Sequence, residues 1–315
     1  MSSRHLIDPE LLPLLETFPT ITITHDNLAA RRARVFPVEI DRNDDVSLEI
    51  LSAPGPEGAP DIRIHVYRPI QADGPLPVLY HIHGGGYVSG SAAQLEAFHR
   101  PLAADLGCAL VAVDYRLAPE TIFPGALEDC HAGLGWVFGQ AGKRGFDIGR
   151  VGLMGESAGG GLAAGLALLA RDRGDYPILF QHLIYPMLDD RTCVAADPNP
   201  FAGEFGWHAA NNHFGWSAML GGKPGGENVS PYAAPARAEA LAGLPPTFLS
   251  VGALDLFVDE NLDYARRLMR AGVPVELHIW PGAFHGFDYQ PGAFVAEAAR
   301  RASRDALRRA FRVGV

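Results

Sequence analysis

Cysteine is scarce: Cys108, Cys130 and Cys193 are the only three in 315 residues, and they lie far apart. That spacing excludes a disulfide scaffold and a CxxC metal or redox pair, and it makes a reducing cytoplasm the expected compartment. Basic charge is also in deficit, with 26 Lys plus Arg against 36 Asp plus Glu and a formal net charge of −10. A surface that tracks phosphates is therefore not expected, and nucleic acid is a poor partner. Long apolar runs are missing as well. The longest, residues 158–170, ends at Arg171, short of the ~20 apolar residues a membrane span needs. It reads as a buried core helix, and no stable membrane insertion is expected. Residues 1–19 interleave Arg4, Asp8, Glu10 and Glu16 with apolar residues, a pattern without the apolar stretch of an export signal. Repeats, low-complexity tracts and flexible linkers are absent too.

What is present is the composition of an ordinary globular chain, 48% apolar and 20% charged. Eight short β-rich runs stand out, at residues 46–53, 62–69, 76–83, 109–116, 151–155, 179–186, 247–254 and 275–280. The first two alternate, as in Ile62, Ile64 and Val66, and are expected to pair antiparallel with one wet face. The later ones are nearly continuous apolar runs, as strands buried on both faces require. Helical patterns at 92–106, 125–140, 158–171, 258–271 and 293–311 separate most of them, which predicts an α/β fold with a mostly parallel sheet. The last helix carries Val295, Ala299, Ala302, Ala306 and Ala310 on one stripe. Its arginines are expected on a solvated outer face.

Two regions break the alternation, residues 1–45 and 189–244. Together they are expected to form a cap over a single domain spanning 1–315. The second is rich in aromatics, among them Trp207, Phe214 and Trp216, which are as well suited to a core as to a pocket wall.

The strongest local signal is Gly155-Glu156-Ser157-Ala158-Gly159, between an apolar strand and an alanine-rich helix. A serine on a sharp strand-to-helix turn presents its hydroxyl above the sheet, and its neighbours must be small to let strand and helix approach. The second signal is His83-Gly84-Gly85-Gly86, at the end of another strand. Consecutive glycines leave backbone N–H groups open to a substrate oxyanion, and the candidate donors are those of Gly85, Gly86 and Ala158. A phosphate loop is the competing reading. Ser91 stands where a P-loop needs lysine, and Ser89 where GxGxxG needs its last glycine. His81 and His83 form an HxH pair without a third ligand at metal-site spacing, so structural roles are expected for both.

If Ser157 is a nucleophile, an acid and a base should follow it in the order Ser, Asp or Glu, His, after late strands. Asp255 ends the seventh β-rich run, with Asp259 as the alternative acid at the start of the next helix. His285, in Phe284-His285-Gly286-Phe287 beyond the last strand, is the candidate base.

At these residues the chain resembles the hormone-sensitive-lipase-like family of α/β-hydrolases, in particular its bacterial esterase branch. The likeness rests on His83-Gly84-Gly85-Gly86, Asp114-Tyr115-Arg116-Leu117-Ala118-Pro119-Glu120, Gly155-Glu156-Ser157-Ala158-Gly159-Gly160, the segment at Asp255, and His285-Gly286-Phe287. Two departures stand out: Leu256 follows the acid where the family usually has proline, and Glu156 precedes the serine where aspartate is more usual. The resemblance implies a sheet of about eight strands under a cap, a Ser157-His285-Asp255 triad, and hydrolysis of short-chain acyl esters without metal or organic cofactor. It also implies a possible homodimer. Alternatives on the same scaffold are a non-catalytic ligand-binding protein, or a lipase or peptidase using the same triad.

Overall fold

All eight apolar runs enter one sheet. The computed structural model describes residues 2–33, 45–72 and 74–312. Its strands are β1 (Val46–Ala53), β2 (Ile62–Pro69), β3 (Leu76–Ile82), β4 (Ala109–Asp114), β5 (Phe146–Glu156), β6 (Phe180–Ile184), β7 (Thr247–Gly252) and β8 (Val275–Trp280), in spatial order β1-β2-β4-β3-β5-β6-β7-β8. β2 pairs antiparallel with β1 and with β4, and every later pairing is parallel. Parallel neighbours cannot be joined by a tight hairpin, so helices make the crossovers.

Among the described residues these helices are α1 (Leu12–Thr17), α2 (His25–Arg32), α3 (Glu96–Leu106), α4 (Gly125–Gly139), α5 (Ala141–Arg144), α6 (Ala158–Arg173), α7 (Ala209–Leu220), α8 (Val258–Arg270) and α9 (Phe294–Arg312). α3 and α9 pack together on one face of the sheet, and α4, α6 and α8 cover the other. α6 is buried from Ala158 through Ala170, as its small side chains permit. No described helix is long and apolar enough to cross a membrane.

Sequence and structure part company at several elements. β3 is buried along its whole length, as a central strand should be, but β8, expected as a nearly continuous apolar run, is the sheet edge and stays half-exposed, with Glu276 and His278 alternating with its apolar residues. β2 is buried on both faces over residues 64–67, because β4 lies beside it and α3 covers it; the wet face belongs to β1. β5 begins at Phe146, five residues before the apolar run, through a pairing of Leu76 with Phe146. The 92–106 helix divides into a 3-10 turn, Ala92–Leu95, and α3. In α9 the buried stripe runs through Val295, Ala299, Ala306, Leu307 and Phe311, while Arg301, Arg309 and Arg312 are exposed.

The two segments outside the alternation are tied to each other. The Asn211 side chain in α7 accepts from the Ile23 N–H at 2.7 Å and donates to the Ile21 carbonyl at 3.0 Å. Nearby, the Gly206 N–H donates to Thr20 Oγ1 at 3.1 Å. Residues 34–44, part of the expected cap, lie outside the described residues.

Candidate active site

The turn from β5 into α6 carries the backbone strain that the sequence pattern demands. Ser157 sits at φ 54°, ψ −121°, a region non-glycine residues rarely occupy and that the surroundings must enforce. Its N–H donates to the Ile184 carbonyl at 2.9 Å, and its own carbonyl accepts from Met187 and Gly161. The flanking glycines are required by contact. A Cβ on Gly155 would lie 2.3 Å from the Gly159 carbonyl oxygen, and one on Gly159 would lie 2.1 Å from that of Ile82. Gly159→Ala is therefore expected to separate α6 from β3 and to cost about 1–3 kcal/mol or more, the usual range for overpacking. Denaturant unfolding measures it, and an unchanged midpoint would contradict the packing.

The Ser157 hydroxyl donates to His285 Nε2 at 2.9 Å, and the His285 Nδ1–H donates to Asp255 Oδ2 at 2.8 Å. An ionised carboxylate only accepts, which fixes this direction. Asp255 is fully buried, and its other oxygen accepts from the Phe257 N–H at 2.9 Å. Leu256 at the family's usual proline position leaves that contact in place. Asp259 lies exposed in the first turn of α8, with Asn199 at 3.4 Å, away from the imidazole. The His285 ring is wedged by Phe257 and Tyr185, with centroids at 5.2 and 4.6 Å. Burial pushes the Tyr185 phenol well up, so it stays a donor, to Asp288 Oδ1 at 2.8 Å.

Beside the serine, the glycine loop turns through positive φ at Gly85 (122°) and Gly86 (64°). The loop is held from below, where the Gly85 carbonyl accepts from the Ser89 hydroxyl at 2.9 Å. Among the described residues the N–H groups of Gly85, Gly86 and Ala158 have no acceptor, and that of Ala158 opens α6, where the helix dipole is positive. The HxH pair bonds outside the Ser157–His285–Asp255 row, although His83 lines the same cavity. His81 Nε2–H donates to Glu156 Oε1 at 2.7 Å, and His83 Nδ1–H donates to the Gly84 carbonyl at 2.8 Å. Burial holds His83 below the ordinary imidazole range, so it is neutral. The Glu156–His81 bond, which sequence reasoning missed, couples the residue before the serine to the strand that delivers the glycine loop.

Ser157, His285, Glu156 and the glycines Gly84, Gly85 and Gly86 line a cavity of about 370 Å³. Of the three aromatics considered from sequence, Trp207 lines it, its ring against Gly86 and its Nε1–H donating to Asn212 Oδ1 at 3.2 Å. Phe214 and Trp216 are not on its wall. From α7, Phe214 packs on His25 at 5.0 Å, and Trp216 is fully buried against Tyr87 at 5.2 Å. Their place is taken by Leu14, Phe18 and Ile21 from the N-terminal segment and by Phe284 and Tyr289.

A family model described as the alpha/beta hydrolase fold matches residues 79–289. The chain belongs to this family. Within the α/β-hydrolases it falls in the hormone-sensitive-lipase-like group of bacterial esterases. The esterase LipI of Mycobacterium tuberculosis is 35% identical over 96% of this chain and 93% of its own length. The carboxylesterase NlhH of the same species is 34% identical, over 96% and 94%. Among solved structures, a bacterial heroin esterase superposes on this α/β-hydrolase with a TM-score of 0.90 at 41% identity, covering 99% of this chain and all of that one.

Proposed function

We propose that this protein is a serine carboxylesterase that hydrolyses short-chain acyl esters through an acyl-enzyme formed on Ser157. The observation that carries the reading is the hydrogen-bonded row Ser157–His285–Asp255 at the foot of a cavity, next to three N–H groups without acceptors among the described residues.

His285 takes the hydroxyl proton as Oγ attacks the ester carbonyl, and Asp255 holds the ring in the tautomer that can accept it and stabilises the imidazolium. The carbonyl oxygen becomes an oxyanion facing the N–H groups of Gly85, Gly86 and Ala158. His285 then hands its proton to the leaving alcohol, and water repeats the sequence on the acyl-enzyme to release the acid and restore Ser157. The chain's own residues supply every proton transfer in this cycle. The segments at 2–33 and 189–244 act as the cap, contributing Phe18, Ile21 and Trp207 to the substrate wall.

Relatives named as esterases over nearly the whole chain support ester rather than peptide chemistry. The cavity volume, near the lower end of the ~300–1,000 Å³ usual for small-molecule sites, supports a small substrate. A series of p-nitrophenyl esters from acetate to dodecanoate tests this. The kcat/KM should be greatest between acetate and butyrate. A maximum at dodecanoate with activation at a lipid interface would point to a lipase, and no turnover of any ester would support a binding role instead.

A further inference from the structure

A second cavity, of about 220 Å³, lies beside the first. It is built where the ends of β3, β5, β6 and β7 meet α3 and α9. Glu156, Ile184 and Ser250 are register neighbours on β5, β6 and β7, so their side chains share the sheet face that these two helices cover. Phe98, Leu102, Met154 and Ile184, from three elements, make its apolar side, Ala299 of α9 forms part of the opposite side, and His81, His99, Glu156, Asp288, Arg300 and Arg304 stand at its polar margin. An apolar cavity of about 150 Å³ is enough to take up benzene. This one is larger.

Three residues line both cavities: Leu95, Glu156 and Tyr289. Two are anchored. Glu156 accepts from His81 at 2.7 Å, and the Tyr289 ring stands edge-to-face on Phe98 at 5.4 Å. Leu95 differs from both in chemistry and setting. It is a half-buried aliphatic side chain at the end of the 3-10 turn leading into α3, with no polar group to bind it in place. Glu156 directly precedes Ser157 in the chain, so the wall shared by the two cavities stands next to Ser157.

We propose that this second cavity is an extension of the active site that receives an unbranched aliphatic arm of the ester, about four to six carbons long, with Leu95 as the movable partition. The assignment rests on the esterase reading above and names part of its substrate class. With Leu95 across the opening, short esters are turned over fastest; when it swings aside, a longer arm enters along the apolar side made by Phe98, Leu102, Met154 and Ile184. Each methylene so buried is worth about fourfold in binding.

The test compares hexanoate with acetate as p-nitrophenyl esters, and hexyl acetate with ethyl acetate, so that the arm is assigned to the acyl or the alcohol side. Leu95→Ala should raise the longer-to-shorter ratio of kcat/KM about tenfold in one of the two series. Ala299→Leu, which fills the chamber from α9, should lower that ratio and cancel the gain when combined with Leu95→Ala. If Ala299→Leu alone abolishes acetate turnover, Ala97→Leu fills the chamber from α3 instead. Ratios that stay at the wild-type value in both series, or a Leu95→Ala gain that survives filling, would overturn the assignment. A wild-type protein inactive on every short ester would instead sink the esterase reading on which it stands.

Discussion

Ser157→Ala is expected to lower kcat on a short p-nitrophenyl ester by a factor on the order of 10⁶, with KM close to wild type. Removing the nucleophile of a triad leaves only what substrate binding and oxyanion donors supply, a residual of about 10³–10⁴ over the reaction in water. Those parts are untouched by the substitution. The backbone amides of Gly85, Gly86 and Ala158 keep their positions, because they are set by the glycine loop and by the first turn of α6. Stability should change little. The Ser157 hydroxyl has one hydrogen-bond partner, His285, and its unusual φ is as strained for alanine as for serine. Steady-state kinetics with a parallel thermal melt decide the matter. A variant that melts like wild type yet keeps more than a tenth of its turnover would remove Ser157 from the chemistry.

Asp255→Asn should cost about 10⁴ in kcat near neutral pH, whereas Asp259→Asn should stay within about twofold of wild type. The larger effect follows from the tautomer. Asp255 Oδ1 accepts from the Phe257 N–H at 2.9 Å, so an asparagine would place its carbonyl there and turn its NH₂ toward His285 Nδ1. That nitrogen would then have to accept. The ring proton moves to Nε2, where the Ser157 hydroxyl needs an acceptor, and general-base catalysis stops. The same inversion is the basis of the ~10⁴ loss measured when a triad aspartate becomes asparagine. Asp259, exposed at the start of α8, faces no part of the imidazole. A larger loss for Asp259→Asn than for Asp255→Asn would reverse the assignment of the acid.

The sheet was legible because β3 and β4 are apolar along most of their length, and burial on both faces leaves that signature, whereas β6 and β7 are just as buried while carrying Gln181, His182, Thr247 and Ser250. β8 is grouped with these runs, yet Glu276 and His278 alternate with Val275, Leu277 and Ile279, a pattern that suits the half-exposed edge strand it is. The residues that gather around Ser157 were readable for a related reason. They sit at strand ends, where a short motif and a rigid position coincide, and the glycines around them answer to contacts that leave no room for a side chain. The segments 2–33 and 189–244 offered no such handle. Phe18 and Ile21 reach the cavity because Asn211 clamps residues 21 and 23 from more than 180 residues away, a pairing without periodicity or motif. Trp207, Phe214 and Trp216 look alike in sequence. Only tertiary packing separates the one on the cavity wall from the two that face His25 and Tyr87. The Glu156–His81 bond was open to inference in principle, since an HxH pair and an acid before the serine end adjacent strands, β3 and β5.

The decisive measurement is covalent labelling with diethyl p-nitrophenyl phosphate, followed by intact mass and peptide mapping. An activated serine displaces p-nitrophenolate and keeps the diethylphosphoryl group. The account predicts one adduct per chain, on Ser157, appearing in step with loss of ester hydrolysis and absent after His285→Gln. Inactivation with the adduct on another residue, or full activity with Ser157 modified, would contradict it.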